Sequence, residues 1–283
     1  MSSLGEDEVA IAVDAVQDRA AIGRVIEHGP RAAGLQDRVV LVGPIEPCGE
    51  CEVCRRGGAA VCPRAKRRDT IAGTVVAAAR WVTPLGDGLA LPVPAGAAVA
   101  GDVALAYTLY ARTGLGPREP VVVVGASPVT RFVVEILRAK SITPVVVVEP
   151  GAGADAWTAW LEQRGATVAR AASVDETYAA IAGAIASHGT GARPWRIVAT
   201  TSPAATLAAR LAGPRATLTV LAPIDALPGE LAAREVTVIG VAGAHPDLVV
   251  EAAAMCAKGE IDLIGGTSET AEPMRSHVRR VAT

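Results

Sequence analysis

The pattern of apolar and polar positions changes near residue 100. Before it, short alternating or β-branched runs at 9–13, 25–27, 38–42 and 74–77 are separated by Gly and Pro. That punctuation predicts a mostly antiparallel β domain. After it, continuous apolar runs at 120–124, 143–148, 166–169, 196–199, 217–221 and 236–239 alternate with helical stretches at 129–139, 154–164, 176–188 and 203–212. Strands that are apolar throughout, each followed by a helix, predict a parallel sheet buried on both faces. Six of them make a doubly wound α/β domain of the dinucleotide-binding type. A further helix is expected over 246–258, with Pro246 in its first turn and Gly259 just beyond its end. The expected plan is a β domain at 1–103, an α/β nucleotide-binding domain at 104–245 and a closing segment at 246–283.

Composition narrows the function classes. The 283 residues carry 27 basic and 29 acidic side chains, a formal charge of −2. No basic excess points to nucleic acid. Apolar residues make up 51% and charged residues 20%, which is enough apolar material for a sizeable core. Phe132 is the single Phe, so the core must be built from Val, Ala, Leu and Ile. No uninterrupted apolar run reaches the length of a bilayer span. The N-terminal stretch is acidic where a secretory signal is basic. The expectation is a cytoplasmic protein that binds neither membrane nor nucleic acid.

Four of the five cysteines lie in PCGECEVCRRGGAAVC, where Cys48, Cys51, Cys54 and Cys62 form a C-x2-C-x2-C-x7-C array. Thiolates so spaced can wrap one Zn2+ tetrahedrally, at about 2.3 Å per Zn–S bond. A closed shell of four thiolates has no open position for substrate, so such a zinc staples a loop that lacks a core of its own. An iron–sulfur cluster or a redox thiol pair are the alternatives. Cys256, in an Ala-rich helical stretch, reads as a small buried residue.

The run 121–124 is followed by GASPVTRFVVEIL. A phosphate-cradling turn reads G-x-G-x-x-G: its glycines make the tight turn, admit the pyrophosphate and let helix and strand pack closely. Gly125, Ser127 and Thr130 hold those three positions here, so one glycine remains. Pro128 suits the first helical turn, leaving the N–H groups beside it, Val129 among them, for an anion. Glu149 ends the next strand, 24 positions after Gly125, where a carboxylate binds ribose hydroxyls and disfavours a 2′-phosphate. NAD(H) is the expected cofactor. The alternative is a nucleotide fold that no longer binds one. Arg131 reads as a solvated residue at the helix start.

Taken together, these segments resemble the zinc-containing medium-chain alcohol dehydrogenase family, from about Glu8 to about Ile264. EVAIAVDAVQ looks like that family's first strand, GRVIEHG like its Gly-x-Val-x-Glu-x-Gly strand, and the segment from Asp37 like the strand before its zinc lobe. The resemblance implies a GroES-like β domain, a structural zinc lobe at 48–62 and a Rossmann domain. It also implies that Thr200, Thr201, Ala222, Pro223 and Val241 line a nicotinamide pocket, and that the chain forms a homodimer through the edge strand at 236–239.

The same resemblance exposes a loss. The family's catalytic zinc is held by three protein ligands, and the matching positions offer no Cys before Cys48, Arg19 in place of His, and Gly101–Asp102 in place of the third ligand. Gln17 runs almost directly into Asp18, so the loop carrying these ligands is expected to be deleted. His28, His188, His245 and His277 read as surface or loop residues. Tyr107, Thr108 and Tyr110 are the candidates for donating a proton or holding substrate. The closing segment is short, which is expected to leave the interdomain cleft open and wet. The reading is an NAD(H)-linked oxidoreductase with structural zinc only, acting on a small alcohol or carbonyl compound. The alternatives are a non-redox lyase, cyclase or isomerase on the same scaffold, or a non-catalytic binding protein.

Overall fold

A computed structural model describes residues 4–17, 19–68, 71, 73–86, 91, 93–116, 119–151, 153–170, 173–187, 196–221, 230–263 and 278–280. The chain divides into two compact units. One comprises Met1–Leu105, Gly243–Ile264 and Ser276–Thr283, and the other Ala106–Ala242 with Gly265–Arg275.

The first unit is built on an antiparallel sheet. Its strands are β1 (Glu8–Gln17), β2 (Ala20–His28) and β3 (Val39–Val42), then the short pair β4 (Ile45–Glu46) and β5 (Lys66–Arg67) in a separate ribbon, then β6 (Thr74–Ala78) and β7 (Val82–Pro84). The main sheet runs from Val278–Arg280 through β1, β2 and β3 to β7, with β6 also paired to β1. Val9, Ile11, Val25, Val40 and Ile71 fill its core. Gln17 pairs with Ala20, which makes β1 and β2 a hairpin closed by two residues. Gly23 in β2 allows a close approach, because a Cβ there would lie 2.2 Å from the Ala12 carbonyl oxygen. Helix Val249–Ala257 packs against a π-helical turn, Val99–Val103, set between the helical segments Val93–Ala98 and Ala104–Thr113. The sequence pattern shows no sign of this irregular turn, whose extra residue leaves no mark in hydrophobic periodicity.

The second unit is a six-stranded parallel sheet. Its strands are β8 (Val121–Val124), β9 (Val145–Val148), β10 (Thr167–Arg170), β11 (Arg196–Ala199), β12 (Thr217–Val220) and β13 (Thr237–Gly240), in the order β10-β9-β8-β11-β12-β13. All four residues of both β8 and β9 are buried, as expected for strands covered on both faces. Helices Pro128–Ala139, Ala154–Gln163, Val174–Ser187 and Ser202–Leu211 connect them. The helix expected over 246–258 begins as a 3-10 turn at Pro246–Leu248 and continues as Val249–Ala257. The result is a GroES-like curled sheet and a doubly wound Rossmann sheet, the α/β class that the sequence implies.

Candidate functional site

The lobe between β4 and β5 has almost no apolar core, and its shape follows the cysteines. Cys51 caps the short helix Glu52–Arg55, its Sγ accepting the Cys54 N–H at 3.4 Å. The Cys48 Sγ accepts the Cys51 N–H at 3.4 Å, and the Cys62 Sγ accepts the Cys48 N–H at 3.5 Å. All four sulfurs lie within 4.8 Å of one another, with 3.8 Å between Cys51 and Cys62 and 3.6 Å between Cys62 and Cys48. Tetrahedral zinc with bonds of about 2.3 Å sets its sulfurs about 3.8 Å apart, close to the Cys51–Cys62 and Cys62–Cys48 separations, so the four thiols suit a Zn2+. Electrostatics agree. The Cys48 thiol is held down to about 6, chiefly by the Glu50 N–H, and Cys51 is lowered chiefly by the Cys54 N–H. Cys54 is pushed up to about 12, chiefly by loss of solvation. Sulfurs this close cannot all be anions unless a cation sits among them.

Polar contacts from distant parts of the first unit brace this lobe. Arg80 donates to the Cys48 carbonyl at 2.7 Å, and His245 Nε2 donates to the Gly57 carbonyl at 2.8 Å. At its base the buried Glu46 pairs with Arg68 at 2.6 Å and with Lys66 at 3.5 Å. His245 lies in a loop, as its reading as a surface or loop residue allows, and is 8% exposed. Its partner stands 188 positions away, beyond the reach of any local pattern.

At the carboxyl edge of the parallel sheet, Gly125 turns the chain at φ +105. A Cβ there would meet Thr200 Oγ1 at 2.9 Å and Ala204 Cβ at 3.0 Å, so only glycine fits. Ser127 and Thr130 form a capping box. The Ser127 Oγ accepts the Thr130 N–H at 3.3 Å, and the Thr130 Oγ1 accepts the Ser127 N–H at 3.1 Å. Thr130 Oγ1 also donates to the Gly125 carbonyl at 3.1 Å and lies 2.7 Å from Thr200 Oγ1. Pro128 has no N–H to offer, and the Arg131 N–H is bonded to the Ser127 carbonyl. Thr201 caps the helix after β11 and donates to Glu149 Oε2 at 3.3 Å. Hydrogen bonds thus link Gly125, Ser127, Thr130 and Thr200, and Glu149 with Thr201, at this edge. The Ser127 and Thr130 donors at the start of the helix are engaged with each other.

The remaining expected residues scatter. The Tyr107 and Tyr110 rings lie 5.7 Å apart, tilted by 51°, on the helix that also carries Thr108, which is 2% exposed. Val241 follows β13 and is 6% exposed, its N–H bonded to the Val220 carbonyl. Ala222, Pro223, His188 and His277 lie outside the described residues. Arg131 is buried, its guanidinium 5.0 Å from the Phe132 ring, which corrects the solvated reading. Cys256 is buried, and that burial pushes its thiol up to about 12.

Near the positions where the family resemblance would place ligands of a catalytic zinc, the structure shows a different pair. Arg19 is exposed in the β1–β2 turn. The buried Gln17 donates its side-chain N–H to the Asp102 carboxylate on the π-helical turn. Gly101 makes the room, since a Cβ on it would lie 2.8 Å from Gln17 Oε1. Among the described residues, no second group of three or more His, Cys, Asp or Glu side chains converges.

No protein-family model and no curated protein matches the sequence. Solved structures do match in fold. A short chain alcohol dehydrogenase from E. coli CFT073, complexed with NADH, superposes with a TM-score of 0.75 at 15% identity, covering 93% of this chain and 84% of its own. The D-arabinose dehydrogenase of Sulfolobus solfataricus gives 0.75 at 15% identity, over 93% and 90%. An alcohol dehydrogenase from Thermus sp. ATN1 gives 0.76 at 14% identity, over 93% and 85%. The two sheets, their order and this likeness give the chain the fold of the medium-chain alcohol dehydrogenases.

Proposed function

We propose that the chain is an oxidoreductase that takes NAD(H) at the carboxyl edge of its parallel sheet and acts on a small alcohol or carbonyl compound. It holds one structural zinc through Cys48, Cys51, Cys54 and Cys62 and works without a catalytic zinc. The observation that carries this reading is the hydrogen-bonded edge of Gly125, Glu149, Thr200 and Thr201. It sits where the strand order switches direction, between β8 and β11. Open parallel sheets bind their ligands outside the carboxyl ends of the strands at such a switch. The structural neighbours support the reading, one of them holding NADH.

Bound nicotinamide supplies the hydride acceptor or donor. The chain's own groups do the rest. Glu149 accepts ribose hydroxyls and repels a 2′-phosphate. Polarising the substrate oxygen falls to hydroxyl donors, with Tyr107, Thr108 and Tyr110 as the candidates. The Gln17–Asp102 pair supports the absence of a catalytic zinc, because it occupies the region of the lost ligands with an amide. We assign the chain to a cytoplasmic homodimer joined through β13, whose residues are mostly exposed. No described helix is long and apolar enough to cross a membrane.

Calorimetric titration with NADH and NADPH tests the reading. Saturable NADH binding, weaker for NADPH, is expected, and no saturable binding of either nucleotide overturns it. One observation favours a second reading, a non-redox enzyme or a binding protein: the Ser127–Thr130 capping box spends donors that a dinucleotide uses. Saturable NADH binding with no turnover of any alcohol or carbonyl compound supports that alternative.

A further inference from the structure

The turn after β8 is closed upon itself. A helix start attracts a diphosphate because its first N–H groups have no partners inside the helix. In this chain most of them have partners. The Ser127 N–H is spent on Thr130 Oγ1 and the Thr130 N–H on Ser127 Oγ. Pro128 brings none. Of that first turn, Val129 alone keeps an N–H with no partner among the described residues.

The closure is more than a surface cap. Thr130 is fully buried, and its hydroxyl also bonds the Gly125 carbonyl and approaches Thr200 at 2.7 Å. Opening the capping box to free the Ser127 N–H would strand a buried hydroxyl network, which is costly in a low-dielectric interior. Ser127 adds a second obstacle, a Cβ and hydroxyl where glycine normally lets the backbone approach the phosphates. Glu149, by contrast, is only half-buried at the tip of its strand, and the bond it accepts from Thr201 is a weak one at 3.3 Å.

Resting on the nucleotide site proposed above, we propose that Ser127 and Thr130 hold this turn self-satisfied, so that the site recognises the nucleoside part of an adenine nucleotide and gains nothing from its diphosphate. The ligand class is an adenine nucleoside or a nucleotide bound through its adenosine end.

Titration of the full chain with adenosine, ADP-ribose and NADH tests this, alongside the variants Ser127→Gly and Ser127→Gly/Thr130→Ala. The wild-type chain is expected to bind all three with affinities within about threefold of one another, whereas one charge-assisted bond to phosphate alone adds about tenfold. Ser127→Gly frees the Thr130 N–H at little cost, since glycine is accepted at this position. It is expected to tighten ADP-ribose and NADH at least about tenfold and to leave adenosine unchanged. The double variant frees both donors and is expected to gain more. Wild-type binding of ADP-ribose far tighter than of adenosine, or no selective gain in Ser127→Gly, overturns the inference while leaving the nucleotide site in place. Failure of all three ligands to bind any of the three proteins overturns the inference and the proposed nucleotide site together.

Discussion

The Gln17 side-chain amide donates to the Asp102 carboxylate, tying the end of β1 to the π-helical turn at Val99–Val103. Gln17 is 3% exposed and its Oε1 has no hydrogen-bond partner among the described residues, so the amide is already half satisfied at best. Removing the carboxylate leaves the buried N–H unpaired as well, which costs about 1–3 kcal/mol. Asp102→Ala is expected to lose that much in urea unfolding. Gln17→Leu/Asp102→Ala, which replaces the buried amide by an apolar group of similar size, is expected to recover part of it. A double variant less stable than Asp102→Ala would show that the amide has another role.

A second prediction concerns helix Pro128–Ala139. Glu135 is 2% exposed and is paired with Arg164 at 2.9 Å and Arg138 at 3.2 Å. Its partners Arg138 and Arg164 are 42% and 25% exposed, so deleting the carboxylate leaves arginines that water can solvate and costs the bonds to a charged group, about 1.5–3 kcal/mol. Glu135→Ala is expected to fall in that range by denaturant unfolding. A loss below about 1 kcal/mol would put the pair with exposed ones.

The five thiols separate by environment. Burial raises the Cys256 thiol to about 12 from 9.0. Its neutral form is the one the fold favours, so this group's contribution to stability is complete below 9.0 and is lost as pH rises toward 12. Native protein at pH 8, treated with a chelator and iodoacetamide, is expected to be alkylated first at Cys48 and Cys51, whose thiols are lowered, with Cys54 slower and Cys256 following only on unfolding. Peptide mass mapping checks it, and early labelling of Cys256 would contradict its burial.

His245 reaches the cysteine lobe through the Gly57 carbonyl at 2.8 Å. His245→Ala is expected to cost about 1 kcal/mol, the net worth of one hydrogen bond, and to speed zinc loss to a chelator. Unchanged release kinetics would show that the lobe does not depend on this brace.

Legibility followed the range of the interactions. The strands of the parallel sheet stand out because four-residue Val runs such as 121–124 and 145–148 carry their burial in their own composition. The cysteine lobe stands out because its four cysteines lie within 15 positions. The turn at Gly125 stands out because a strand, a glycine and a helix start follow one another directly. What the sequence hides is pairing over long separations. Gln17 meets Asp102 85 positions away and His245 meets Gly57 188 positions away. Arg131 and Glu135 look like an exposed helix surface by residue type, yet tertiary packing buries both.

We propose a dehydrogenase fold that holds a stapling zinc and lacks a reactive one. Zinc X-ray absorption on the purified chain, with metal analysis of the same sample, distinguishes the two kinds of site. One zinc per chain, surrounded by four sulfurs at about 2.3 Å, is expected. Two zincs per chain, or nitrogen and oxygen atoms bound to the metal, would contradict it.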